Sequence, residues 1–119
     1  MTVVWETEVT SIGKEVEQLI QEKTLILFDE SVPDELKDIS ILHAGKKIND
    51  EIRPGDTLWM NEEKFEIYFV GDRVNQSFQE LGHITIKFNG SQKDMPGSIC
   101  VEEKAIPSLK VGTLIQVTR

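Results

Sequence analysis

The chain of 119 residues contains a single cysteine, Cys100. An internal disulfide is thereby excluded, and a reducing cytoplasm is the expected setting. Histidine is almost as scarce, with His43 and His83 the two present. Two imidazoles and one distant thiol fall short of the four spaced ligands of a structural zinc, so no metal and no cofactor are expected. Basic residues are outnumbered, 13 against 21 acidic ones, and the formal net charge is -8. That balance excludes nucleic-acid or anionic-membrane binding through a positive field, and it suits an encounter with the basic face of a protein. No apolar run approaches the roughly 20 residues of a membrane span. The early acids of "MTVVWETEVT" lead us to expect no signal peptide. Neither a G-x-x-x-x-G-K-[ST] phosphate loop nor a G-x-S-x-G nucleophile elbow occurs.

What is present is mostly a period of two. Val3, Trp5, Thr7 and Val9 share one face of the first segment, with Glu6, Glu8 and Thr10 on the other. Phe65, Ile67 and Phe69 repeat the pattern, as do Ile84, Ile86 and Phe88 opposite His83, Thr85 and Lys87. "TLILF", "ISIL", "DTLWM", "SICVE" and "TLIQV" are further short strand candidates. Many short strands broken by turn signals, such as "RPGD" at 53–56 and "FNGSQKDMPG" at 88–97, predict a β-barrel or sandwich. Helices are minor. Val16, Leu19, Ile20 and Lys23 fit a short amphipathic helix. Ser31 ahead of Asp34 has the spacing of a capping box over one or two turns. Val74, Phe78 and Leu81 mark a third helical face that stops at Gly82. No linker or composition break appears, so one domain over residues 1–119 is expected.

His43 follows Ile39 and Ile41 at period two and precedes Ala44-Gly45, where the strand is expected to end. An apolar parity keeps an imidazole neutral, which is its nucleophilic form. Backbone N–H groups at Gly45 and Lys46, with the Lys46 or Lys47 ammonium, could hold a phosphoryl group. The same residues also read as a packed core histidine followed by a polar turn, and spacing alone favours that reading over the nucleophile. His83 reads as a strand-start histidine on the more polar face. Cys100, between Ile99 and Val101, has no activating neighbour and is expected to be inert.

The residues together resemble a known family. "MTVVWETEVTSIG", "LILFDE", "ILHAG", "ELGHITIKFNG", "MPGSICV" and "VGTLIQV" are similar to the glucitol/sorbitol-specific enzyme IIA component of the bacterial phosphoenolpyruvate-dependent sugar phosphotransferase system. "ELGHITIKF" with the downstream "PG" is the most specific part. The resemblance implies a mainly β fold, a closed or nearly closed antiparallel barrel with one to three short helices. It implies a cytoplasmic carrier that takes a phosphoryl group from phosphorylated HPr and passes it to the cysteine of a cognate IIB, part of a IIB/IIC membrane component. The acceptor histidine of the family falls on His43. His83 matches the histidine after "ELG". A further histidine that some members carry two places after the acceptor is replaced here by Gly45, which leaves backbone N–H groups, Lys46 or His83 to orient the phosphoryl group.

Carrier chemistry requires a reachable nucleophile. On that ground His43 is expected in a shallow depression, one ring nitrogen exposed and the other oriented by a hydrogen bond, inside an apolar collar including Leu42 and Phe69. The competing reading is a non-catalytic acidic β-domain that regulates a protein partner.

Overall fold

In the computed structural model, which describes residues 2–119, the period-two segments become strands and the strands close on themselves. The elements are β1 (Val3–Ile12), α1 (Val16–Gln21), β2 (Thr24–Asp29), β3 (Ile41–Ile48), β4 (Thr57–Met60), β5 (Glu63–Val70), α2 (Val74–Leu81), β6 (Ile84–Lys87), β7 (Ser98–Val101) and β8 (Leu114–Thr118). A single 3-10 turn, Asp34–Leu36, interrupts the passage from β2 to β3. The barrel order is β1-β3-β2-β6-β7-β5-β4-β8, with β8 returning to β1.

Alternation decides what fills the interior. Trp5, Thr7 and Val9 of β1 are buried while Glu8 between them is exposed. Leu25 and Leu27, Leu58 and Met60, Phe65 and Ile67, Ile84 and Ile86, and Ile115 and Val117 are buried in the same every-second-residue manner. Each such side chain is worth about 1.5–3 kcal/mol on leaving water. The mainly antiparallel barrel expected from the resemblance is present, with two exceptions: β2 pairs parallel with β3, and β6 pairs parallel with β7. Parallel neighbours need crossovers rather than hairpins, and residues 30–40 and 88–97 supply them.

Two local expectations change. β3 does not stop at Ala44-Gly45 but runs on to Ile48. The continuation is a β-bulge: Glu8 faces Ala44 and Glu6 faces Lys47, so Gly45 and Lys46 together oppose Thr7. Gly45 has φ +70, the left-handed conformation that this bulge needs and that glycine adopts without penalty. Ser31 does not cap the 3-10 turn. Its hydroxyl donates to Asp29 Oδ2 at 2.6 Å, a local bond that leaves Pro33 at the N-cap with no side-chain bond.

The three helical segments fall where the spacing puts them. α2 is the one that reaches the barrel's histidines. It buries Val74 and Phe78 against the barrel, ends on Gly82 in the left-handed conformation (φ 62), and leaves Leu81 52% exposed, so its apolar face is narrower than the spacing implied.

Candidate functional site

His43 lies in mid-barrel on β3, opposite Val9 of β1 on one side and Asp29 of β2 on the other. Two register shifts flank it, the Gly45–Lys46 bulge of β3 opposite Thr7 and an extra residue, Thr10, in β1. Parity turns its side chain inward beside that of Ile41, and α2 lies over it. The imidazole stacks on Phe78 (centroids 5.5 Å apart, 8° between planes), and Phe78 stacks in turn on Trp5 at 4.3 Å.

Both ring nitrogens have partners. Nδ1 is 2.7 Å from Thr7 Oγ1, and Nε2 is 2.7 Å from the carbonyl oxygen of Gly82. A carbonyl only accepts, so Nε2 carries a proton. Burial holds the His43 pKa below the ordinary histidine value, against the opposing pulls of the Gly82 hydrogen bond and the Asp29 carboxylate. The ring is therefore neutral, Nδ1 has a lone pair, and the Thr7 hydroxyl donates to it.

The expected exposed nitrogen is not found: His43 has 0% of its surface accessible. Phe78 covers one face of the ring, and the C-cap of α2, Gly82, itself buried, covers the Nε2 side. A Cβ on Gly82 would stand 2.7 Å from Asp29 N, 2.9 Å from Asp29 Cβ and 3.0 Å from His43 Cε1, so only glycine permits this approach. The expected collar is also different. Leu42 is the neighbouring residue on the strand and points to the opposite face, and Phe69 is on β5, diametrically across the barrel order from β3. Phe78 occupies that role.

Gly45 is exposed and serves the bulge. The bulge brings Lys46 to the end of α2, where Nζ donates to the carbonyls of Phe78 (3.2 Å) and Gln79 (3.0 Å). The Phe78 carbonyl also accepts the Gly82 N–H at the cap, while both carbonyls lie in the last turn, where a cation is well placed. Lys47 is exposed.

His83 directly follows the glycine that covers His43, yet its surroundings differ. It is partly exposed and lines a cavity of about 330 Å³ with Arg73, Ser77, Pro96 and Gly97. Its ring stacks on Phe28 at 4.7 Å; Nδ1 is 2.9 Å from Ser77 Oγ, and Nε2 is 3.2 Å from Thr85 Oγ1. Burial again lowers its pKa. Cys100 is buried, and burial pushes its thiol up to about 11, so it stays protonated and unreactive at neutral pH. Among the described residues no group of three or more His, Cys, Asp and Glu converges as metal ligands would, and no helix is long and apolar enough to cross a membrane.

Sequence reasoning missed Thr7, Gly82 and Phe78 as parts of the site. A signal for Thr7 was available: it is the one hydroxyl in an inward row otherwise made of Val3, Trp5 and Val9.

The chain matches the family described as "PTS system glucitol/sorbitol-specific IIA component" over residues 4–116. It is 25% identical, over 117 residues, to the PTS system glucitol/sorbitol-specific EIIA components of Shigella flexneri and of Escherichia coli (strain K12), across 98% of this chain and 95% of each relative. The crystal structure of the PTS system IIA component from Enterococcus faecalis V583 has the same fold, with a TM-score of 0.82 and 24% identity over 96% of this chain and 99% of that one. An eight-stranded closed barrel and a match along nearly its whole length make this chain a member of the glucitol/sorbitol-specific IIA family of the sugar phosphotransferase system, a family of phosphocarriers.

Proposed function

We propose that this chain, as one IIA domain over residues 1–119, carries a phosphoryl group on His43 in the cytoplasm. It takes the group from the phosphohistidine of HPr and gives it to the cysteine of the cognate IIB while the IIB/IIC component imports a sugar of the glucitol/sorbitol class. One observation carries the reading: a neutral imidazole has a hydroxyl against one nitrogen and the cap carbonyl of a helix against the other.

The two nitrogens are not equally reachable. Nδ1 faces β1, and exposing it means parting two paired strands. Nε2 faces the end of α2, and exposing it means displacing Gly82. A hydrogen bond of this kind is worth about 0.5–1.5 kcal/mol net, and helix ends are among the first parts of a fold to open. Transfer therefore runs through Nε2 after the Gly82 cap swings aside. Nε2 must first give up the proton it donates to Gly82, with Nδ1 becoming the protonated nitrogen. Its lone pair then forms the new N–P bond as the donor's P–N bond breaks in line, and that bond's electron pair returns to the donor ring. A donor ring protonated on its other nitrogen leaves neutral, while the His43 ring becomes cationic with its proton on Nδ1. Charge is conserved between the two imidazoles. Passing the group on reverses the step, with a IIB thiolate as the attacking atom. Phosphoryl transfer depends on alignment and on charge at the equatorial oxygens. The groups at hand are Lys46, once it releases the α2 carbonyls, the backbone N–H groups at Gly45 and Lys46, and His83.

The test is incubation with phosphoenolpyruvate, the general enzyme I and HPr. One acid-labile phosphate is expected per chain, lost in His43→Ala and retained in His83→Ala. A second reading rests on access: His83 already borders an open cavity beside Arg73. Label that survives His43→Ala and disappears in His83→Ala moves the acceptor to His83. No label in any form, with partner capture unchanged by His43→Ala, would instead favour a non-catalytic regulator.

A further inference from the structure

Among the described residues, Thr7 supplies the only side chain hydrogen-bonded to the His43 ring nitrogens, and its hydroxyl has a second partner. Oγ1 is 2.7 Å from Nδ1 and 3.1 Å from the carbonyl oxygen of Ala44. One hydroxyl proton cannot serve both. With Nε2–H donating to Gly82, the Thr7 proton points at Nδ1 and the Ala44 contact is idle. With the imidazole proton on Nδ1, that N–H donates to Oγ1 and the Thr7 proton turns to Ala44. Both arrangements satisfy the hydroxyl, and they differ by a rotation about one bond.

The two arrangements do different things at Nε2. In the first, Nε2 is a donor, bound to Gly82 and unable to attack. In the second, Nε2 has a lone pair 2.7 Å from a carbonyl oxygen, which is repulsive. The repulsion ends only when Gly82 moves away. A proton on Nδ1 therefore both arms Nε2 and removes the bond that keeps it covered. Resting on the phosphocarrier reading of His43, we propose that Thr7 is a positioning residue whose reversible hydroxyl switches the imidazole between a covered Nε2–H tautomer and an open Nδ1–H tautomer that takes the phosphoryl group. Displacing Gly82 uncovers the Cε1 edge of the ring. Water there takes the proton from Nε2, while Thr7 Oγ1 passes its own proton to Nδ1 and is reprotonated from the same water. After transfer, the cationic ring keeps Nδ1–H donating to Thr7, and Thr7 donating to Ala44.

Two measurements test this. Nitrogen-15 spectra of the ring in the unmodified wild-type protein should show Nε2–H as the main tautomer; a dominant Nδ1–H tautomer overturns the proposal. Phosphorylation of His43 should then be timed in Thr7→Val, which keeps the shape and removes the hydroxyl, and in Thr7→Ser, which restores it. Thr7→Val should slow labelling about tenfold, the worth of one buried hydrogen bond, and Thr7→Ser should come back to within a few-fold of wild type. A wild-type rate in Thr7→Val, or a Thr7→Ser as slow as Thr7→Val, overturns it. If Thr7→Val does not fold, the wild-type spectrum and Thr7→Ser decide: Thr7→Ser more than tenfold slow counts against the switch. Absence of label on His43 in the wild type is a separate failure, that of the phosphocarrier reading, and it takes the switch with it.

Discussion

His43 and His83 are separated by forty residues of sequence and meet around one glycine, but they occupy opposite environments. His43 is sealed, parallel-stacked on a core phenylalanine and bonded through both nitrogens to groups of the barrel and the helix cap. His83 is partly exposed, stacks on the partly exposed Phe28 and borders a cavity. The contrast separates two requirements on a carrier that are easily merged. Keeping an imidazole neutral and oriented calls for burial, and meeting a partner calls for access. The first is built into the static fold at His43. On the proposed reading of His43, the second comes from movement of the Gly82 cap just before His83.

The contrast can be broken first at the stacking partners. Phe78→Ala should cost about 3–5 kcal/mol, as expected for a core aromatic, whereas Phe28→Ala should cost only about 1 kcal/mol, because Phe28 keeps part of its surface in water. Urea midpoints of the two variants measure this, and equal losses would mean that the sealed ring is not anchored through α2. The glycines offer the next comparison. Gly82→Ala combines a positive φ with contacts on backbone and ring, and should lose about 3 kcal/mol. Gly45→Ala has the positive φ but open space around it, and should lose about 1–2 kcal/mol. If Gly82→Ala proves no worse than Gly45→Ala in thermal unfolding, the tight cap over His43 does not exist in solution.

Acid titration sharpens the difference further. Both histidines have pKa values lowered by burial, His43 also by Lys46 and against the pull of Asp29 and Glu30. The unfolded chain then binds protons near pH 6.5 that the folded chain does not. Stability from this source is complete above about pH 7 and declines as the pH falls through 6.5 toward the lowered values. The slope of stability between pH 7 and 5 should shrink in His43→Gln more than in His83→Gln; the reverse order would assign the deeper burial to the wrong ring. The smallest effect is expected for Ser77→Ala, about 1 kcal/mol for its bond to His83 Nδ1, with His43 labelling unchanged.

How far the sequence foretold this arrangement depends on the range of the forces involved. Local periodicity sufficed for the inward row of Trp5, Thr7 and Val9 and for α2 with its stop at Gly82. The same periodicity had already turned His43 inward beside Ile41. The expectation of an exposed nitrogen came from what the chemistry requires, and the parity was the better guide. Ser31 was misread because its hydroxyl can accept a helix N–H as a cap or donate to a neighbouring carboxylate, and here it donates to Asp29. The run of β3 past Gly45 was hidden, since a bulge glycine and a terminating glycine look alike in one dimension. The two parallel pairings were hidden as well, because they follow from closing the ring and not from any segment's own pattern. Contact between Gly82 and His43 depends on where that closure sets α2, a long-range outcome no local window contains.

Closure also constrains how the molecule can be approached. Each of the eight strands already has a neighbour on both flanks, so their main-chain amides and carbonyls are spent within the ring. A visiting protein finds no ladder to extend and must grip through protruding groups alone. How long a visitor stays is then set by those side-chain contacts, since differences between related complexes lie mostly in dissociation.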